Sequence, residues 1–373
     1  MKYIVVSDIH LGHIRTPTSH IINSFTKTVF TEKNKDIDVF FIAGDLFDRL
    51  LDFNSIDVRE ILKFLDTLLT YCTINNIKLR VLEGTPSHDW QQPEVIVKLN
   101  ELRENKCDLR YHKFLDIEYI PEFNKHILYI PDEWSNCHLD IETQIKEKLQ
   151  EHSISKVDIA ILHGAFTYQA PIAKYAGFLY KEDYFLNLVR GFIHIGHYHT
   201  HTFFDRIIAQ GSLDRMAHGE EESKGYVKVE GTNWTFIENP NAYVYRTINV
   251  VATTTINTLD KHIQQLPKGS HVRLVLSKDH PLNIAFQDVK LRYLDYHIRK
   301  LNKETLSESN EITYIALSED LEMSDNYVLD KNIHNTLKNL VLSKYQLNQT
   351  EQNKFLGYIS ILENIVEVEE EAI

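Results

Sequence analysis

Lys2-Tyr3-Ile4-Val5-Val6-Ser7-Asp8-Ile9-His10 opens the chain with a β-rich run that stops at a carboxylate and an imidazole. The same grammar recurs five times. Val39 to Ala43 ends in Gly44-Asp45-Leu46-Phe47-Asp48, and Leu79 to Leu82 leads to Gly84-Thr85-Pro86-Ser87-His88-Asp89. His126 to Ile130 runs into Pro131-Asp132-Glu133-Trp134, and Asp158 to Leu162 into His163-Gly164. Phe192 to Ile195 ends in Gly196-His197-Tyr198-His199. Short apolar runs bounded in this way read as buried strands. Between them lie helical patterns, such as Val58, Ile61, Leu62, Leu65, Leu68 and Leu69 behind a plausible cap at Ser55. Strand–helix alternation predicts a layered α/β sheet whose ligands gather at the carboxyl ends of the strands. Strand ends bearing oxygen and imidazole donors are expected to converge on one rim, which builds a metal site.

The donor types narrow the chemistry. Asp8 and His10 are one residue apart and can address one ion. Asp45 offers a carboxylate able to bridge two ions, and His163, His197 and His199 add imidazoles. Mixed hard oxygens and neutral imidazoles suit Mn²⁺, Fe²⁺ or Zn²⁺ better than Ca²⁺ or Mg²⁺. Two such ions, roughly 3.5–4 Å apart, lower the pKa of a shared water and clamp an in-line displacement at phosphorus. Taken singly, each His or Asp at a strand end reads as a solvated residue or a helix cap. Five motifs in order weigh against that for the set.

The bulk numbers are permissive. The chain has 373 residues, 43% hydrophobic and 25% charged, which suits a large domain with smaller additions. No apolar run approaches the ~18–20 residues of a membrane span. The first run is too short for a signal peptide and stops at Asp8. Cys72, Cys107 and Cys137 are odd in number and lack CxxC spacing, so the expected home is a reducing cytoplasm, or a host's cytoplasm if the source is viral. The net charge is −13, but residues 301–373 carry 5 Lys, no Arg and 14 acidic side chains. Nine of the thirteen negative charges therefore sit in that segment, and charge neither favours nor excludes a DNA substrate. Near Asn239-Pro240-Asn241 the texture changes. A small α+β domain is expected over 241–328, with strands at Tyr243–Val251 and His271–Leu276 and a helix at Leu259–Leu266. Residues 329–373 read as helices with apolar stripes at Ile333–Tyr345 and Phe355–Val366, then an acidic tail.

Asp8-x-His10, Gly44-Asp45, the His88-Asp89 segment, His163 and Gly196-His197-x-His199 together resemble the calcineurin-like metallophosphoesterases. Asp8-Ile9-His10-Leu11-Gly12, Gly44-Asp45-Leu46-Phe47-Asp48, Gly211-Ser212, Arg215, Gly219-Glu220 and Lys224-Gly225-Tyr226 are similar to SbcD-type nucleases of double-strand-break repair, nearest to the nuclease subunits of phage recombination endonucleases. The resemblance covers residues 1 to about 230. It implies a metallophosphoesterase β-sandwich flanked by helices over 1–240, a capping or DNA-binding domain over 241–328, and a partner-docking segment over 329–373. It implies two Mn²⁺, with Mg²⁺ or other divalent ions as alternatives. Asp8, His10, Asp45 and His199 would hold the first and Asp45, His163 and His197 the second. His88 would contact the scissile phosphate and assist the leaving group, with Asp89 orienting it. The family pattern at the third motif is Gly-Asn-His-Asp or -Glu. Here the loop is two residues longer and places Ser87 where the Asn ligand belongs, so Ser87, a loop carbonyl or a water would fill that place. Asp48 either holds a histidine or caps a helix. Arg215 and Lys224 are candidates for meeting DNA phosphates, and His13 and His201 for facing solvent or DNA. Trp90 and Trp134 would wall the cleft or pack in the core. The implied activity is exonuclease on duplex ends and endonuclease on single strands, as a homodimer joined to an SbcC-like ATPase. The chain has no phosphate-binding Gly-x-x-x-x-Gly-Lys-Ser/Thr loop of its own. The rival readings are a protein phosphatase, a cyclic-nucleotide phosphodiesterase, or a repair adaptor without catalysis.

Overall fold

The computed structural model describes residues 1–51, 55–132, 138–169 and 179–303. The strands are β1 (Lys2–Val6), β2 (Val39–Ala43), β3 (Lys78–Leu82), β4 (Leu109–His112), β5 (Asp116–Ile120), β6 (Lys125–Ile130), β7 (Ile159–His163), β8 (Ala165–Phe166), β9 (Leu179–Tyr180), β10 (Ile193–Gly196), β11 (Thr202–Phe204), β12 (Ile207–Ala209), β13 (Gly225–Glu230), β14 (Asn233–Glu238), β15 (Tyr245–Asn249), β16 (His271–Leu276) and β17 (His297–Asn302). They form a sheet in the order β14-β13-β1-β2-β3-β4 and a second in the order β11-β12-β10-β7-β6-β5. Strands β15-β16-β17 make a third sheet, and β8 pairs with β9. In the first sheet β1, β2, β3 and β4 run parallel, and β13 and β14 add antiparallel strands at one margin. In the second β12, β10, β7 and β6 run parallel, and antiparallel β11 and β5 close both margins.

Side-chain alternation explains the layering. Tyr3, Val5, Val39 and Phe41 of the first sheet pack with Ile127, Tyr129, Ile159, Ile161 and Ile208 of the second. The alternate residues Ile4, Val6, Phe40, Ile42, Leu79 and Val81 pack against α1 (Thr18–Val29), α2 (Ile56–Ile74) and α3 (Glu94–Glu101). Leu128, Ile130, Ala160, Leu162, Ile193 and Ile195 meet α4 (His138–Glu151) and α5 (Glu182–Leu188). Two sheets thus face each other with helices outside both. Apolar runs buried on both faces produce the near-continuous hydrophobic strands of the sequence.

Ser55 caps α2, its hydroxyl accepting the Asp57 N–H at 3.3 Å. The six motif-bearing strands lie in two sheets rather than on one. β1, β2 and β3 belong to the first and β6, β7 and β10 to the second, so the rim is formed where two sheets meet. In the third sheet the helix expected at Leu259–Leu266 is α6 (Ile256–Ile263). It starts earlier because Thr255 caps it, and Pro267 follows closely. The described residues all fall within one compact unit. The segment 329–373, with its two apolar stripes, lies outside the described residues, as do Trp134 and Cys137. Cys72 and Cys107 are buried and free. Among the described residues no helix is long and apolar enough to cross a membrane.

Candidate metal centre

The loops after β1 and β2 run side by side. Asp8 N–H donates to the Gly44 carbonyl at 3.1 Å, and Ile9 N–H to that of Asp45 at 2.9 Å. Both loops turn sharply. Asp8, His10 and Asp45 have φ of 52°, 53° and 51°, and His197 has 98°. Left-handed conformations cost non-glycine residues roughly 1–3 kcal/mol each and gather at functional sites. Here four candidate ligands adopt them. Gly44, at φ 85°, leaves the space taken by His163, whose Nδ1 would lie 2.1 Å from a Cβ there. His197 N–H donates to Asp8 Oδ1 at 3.0 Å, which latches the end of β10 to that of β1.

The side chains converge in three overlapping groups: Asp8, His10 and His199; His10, Asp45 and His88; Asp45, His163 and His197. Asp8, His10, Asp45 and His163 are at most 2% exposed. His10 Nε2 and His199 Nε2 stand 3.0 Å apart. Donors sharing one ion through bonds of about 2.1 Å are spaced roughly 3–3.4 Å from each other. Asp45 faces both sides, with Oδ1 at 3.3 Å from His163 Nε2 and Oδ2 at 3.9 Å from His10 Nε2.

Four imidazoles share one orientation. His163 Nδ1 bonds the Ala43 carbonyl at 2.8 Å, and His199 Nδ1 bonds Glu220 Oε1 at 2.7 Å. His10 Nδ1 faces Asp48 Oδ1 at 3.3 Å, and His88 Nδ1 bonds the Asp48 carbonyl. Anchoring Nδ1 from outside turns Nε2 inward, the arrangement that holds metal-ligating histidines. Asp48 therefore serves two histidines. Glu220 is a positioning residue whose role the sequence did not reveal, because a carboxylate 21 positions from its histidine has no local signature.

The third motif differs from the expectation. Ser87 is exposed, while Thr85 Oγ1 lies 3.3 Å from Asp45 Oδ2, 3.2 Å from His163 Nε2 and 3.3 Å from His197 Nδ1. The Thr85 carbonyl accepts both His88 N–H and Asp89 N–H at 2.9 Å. That turn directs Thr85 inward and leaves Ser87 at its outer side. Thr85→Val is expected to raise the Mn²⁺ concentration for half-saturation about tenfold or more, the scale for groups supporting metal ligands. Ser87→Asn is expected to leave the titration unchanged. The reverse result would return the hydroxyl role to Ser87.

Asp89 does not orient His88. It is fully buried, and its carboxylate accepts Phe47 N–H at 2.9 Å and Gly84 N–H at 2.8 Å, tying the second motif to the third. Burial, with repulsion from Asp45 and Glu83, pushes its pKa well above the usual carboxylate range. Lys224 and Arg215 are not presented to a phosphate either. Lys224 is 1% exposed, with Nζ 2.9 Å from the His199 carbonyl and 3.2 Å from Glu220. Arg215 donates to the Tyr243 carbonyl at 3.1 Å and the Glu222 carbonyl at 2.8 Å. Both cations brace the loop behind His199. His13 accepts Thr16 N–H at 2.9 Å, and His201 stacks on Phe236 at 4.1 Å, so both have structural partners. Trp90 is 56% exposed and is not core.

No protein-family model matches the chain, and no curated protein matches it. Thirty-one solved chains match. One crystal structure aligns over 63% of this chain and 98% of its own at 11% identity, with a TM-score of 0.35. Likeness at that level carries no argument about the fold or the activity.

Proposed function

We propose that the chain is a two-metal phosphodiesterase of the calcineurin-like type, built on the metallophosphoesterase sandwich and acting on DNA as SbcD-type nucleases do. The observation that carries this reading is the set of inward-facing Nε2 atoms of His10, His88, His163 and His199 around Asp8 and Asp45. The donors fit divalent ions that accept nitrogen and oxygen together, Mn²⁺ foremost. Asp8, His10 and His199 would hold one ion, His163 and His197 the other, and Asp45 would touch both. Bound divalent ions activate water and neutralise charge developing on a phosphoryl group. The chain supplies the rest. Asp48 and Glu220 fix imidazole orientation, Thr85 holds Asp45 in place, and His88 offers Nε2 to the departing oxygen. An SbcC-like ATPase is the proposed partner of a nuclease homodimer, docking on residues 329–373.

Manganese-dependent turnover of bis-p-nitrophenyl phosphate tests the enzyme against a non-catalytic adaptor. Duplex DNA set against a phosphopeptide then tests the substrate class. Absence of metal-dependent hydrolysis of any phosphodiester would overturn the reading.

Metal uptake is expected to depend on pH. Burial pulls the His163 pKa down, but the charge and hydrogen bond of Asp45 outweigh it and raise the pKa to about 10. Burial likewise opposes Glu220, which still raises that of His199 to about 9. An arriving ion needs neutral imidazoles, so it must displace these protons. Divalent-ion affinity should therefore rise with pH until it passes about 10, with roughly two protons released per chain at neutral pH. Calorimetry of Mn²⁺ binding in buffers of different ionisation heat measures that number. A proton release near zero would refute the competition.

A further inference from the structure

The metal centre lies at one end of the sandwich, and a separate cavity opens at the other. It has a volume of about 610 Å³ and sits where β6, β7, β10 and β12 begin, with the turn between β13 and β14 at its edge. That size suits a small organic molecule. Tyr3 and Phe192 on its walls lead, five positions further along the chain, to Asp8 and His197. At strand rise the two sites therefore stand about 16 Å apart.

The sequence explains why a gap persists here. Elsewhere large side chains such as Phe41 and Tyr129 fill the space between the sheets. At this end the closing residues include Gly191, Gly231 and Thr232, which carry little or no side chain. A Cβ at Gly191 would lie 2.6 Å from the Asp158 carbonyl, so the chain there stays bare. The walls are apolar and held in place. Tyr3 and Ile159 are 2% and 5% exposed, and Phe192 is half-buried. Tyr3 OH lies 3.1 Å from His194 Nε2, which fixes the ring. Arg206 donates to the carbonyls of Leu186, Val189 and Gly191 at 2.7, 2.6 and 2.8 Å, which fixes the segment leading to Phe192. Walls ordered before binding lower its entropic cost.

Charge around the cavity is unequal. Among the described residues Asp158 is the one carboxylate lining it, against Lys125, Arg190 and Arg206. Arg206 is engaged by its carbonyls and has Asp205 at 3.8 Å. Asp158 Oδ2 accepts the His126 N–H at 2.9 Å. Its Oδ1 faces both Lys125 Nζ at 3.2 Å and Arg190 Nη1 at 3.6 Å. One carboxylate thus serves two cations, which leaves one positive charge over. Arg190 is exposed and can turn to a ligand. Apolar walls with one surplus cation match an amphipathic monoanion. A carboxylate carries a single charge at neutral pH, whereas a phosphate monoester carries about −1.5 to −2.

We propose that this cavity is a second binding site, for a small organic carboxylate. Its ring-sized apolar body lies on Tyr3, Ile159 and Phe192, and its carboxylate meets Arg190 and Lys125. The assignment does not depend on what the metal centre does.

The test reads binding alone. 2-Naphthoate is titrated calorimetrically into the full chain in EDTA, beside 2-naphthamide, its neutral counterpart. Naphthoate is expected to bind at one saturable site, about tenfold tighter than naphthamide, the scale of one hydrogen bond to a charged group. Arg190→Gln should erase that preference and leave naphthamide affinity as it was. Phe192→Ala should weaken both ligands several-fold. Arg190 is exposed, so its variant keeps the test decisive even where Phe192→Ala fails to fold. Equal affinity for the two ligands in the parent chain, or no saturable binding of either, would overturn the proposal. So would naphthoate binding that neither variant changes, which would place the ligand elsewhere. Deoxyadenosine 5′-monophosphate binding more tightly than naphthoate, and lost in Arg190→Gln, would overturn the carboxylate class in favour of phosphate esters.

Discussion

Asp45→Ala is expected to lose both ions and nearly all phosphodiesterase activity. The reason is geometric. Its two carboxylate oxygens face different histidines, Oδ1 towards His163 and Oδ2 towards His10. No other carboxylate belongs to more than one of the three donor groups. His10→Ala should be milder in metal content, since His163, His197 and Asp45 stay together. Asp45→Asn is the companion variant. Its amide oxygen can still accept Thr85 N–H, a bond now 2.6 Å long, so the loop keeps its anchor while the bridging charge is lost. Metal analysis of the purified variants should find about two ions per parent chain, and few or none in either Asp45 variant. Two ions retained by Asp45→Asn would show that charge at this position is dispensable. Two retained by Asp45→Ala would remove the bridging assignment altogether.

Why some of this was legible and some was not follows from what each residue needs. The strand ends were legible because β1, β2 and β7 are buried on both faces. Such strands must be apolar throughout, and their first polar residue marks the end. Asp45 and His163 are those residues, and after β1 the polar pair Ser7-Asp8 plays the same part. β5, β11 and β14 lie at sheet margins, where partly exposed strands carry too many polar residues to read as apolar runs. Ser87 was misplaced because spacing along a motif does not report the path of a loop. The turn closed on the Thr85 carbonyl decides which hydroxyl faces inward. Lys224 and Arg215 misled in another way. A cation reads as solvent-facing by type, yet these two satisfy buried carbonyls and carboxylates behind His199. Glu220 and Asp48 hold their histidines through contacts made only after folding; the sequence offered holding a histidine as one of two roles for Asp48, and gave Glu220 only as part of a motif with no role attached.

His88→Ala is expected to keep the ions and lose most DNA cleavage. His88 stands in one donor group with His10 and Asp45, and its ring meets that of His10 edge-on at 4.9 Å. Two roles are open to an imidazole in that position, ligand or proton donor. Its Nδ1 is held by the Asp48 carbonyl, so Nε2 is the atom left for either task. In the two-ion reading the other imidazoles would already provide nitrogen donors to each ion, and His88 is half-buried where His10 and His163 are closed off. That exposure suits contact with substrate. A proton donor matters in proportion to the basicity of the leaving group. A sugar alkoxide needs the proton, whereas nitrophenolate departs readily without one. Loss on DNA should therefore reach about 10²-fold or more, the scale of general acid catalysis, with a much smaller loss on the nitrophenyl ester. Metal content measured beside the two rates separates the roles. Equal losses on both substrates, together with a missing ion, would make His88 a ligand. Full metal content with DNA turnover near that of the parent would exclude it from both.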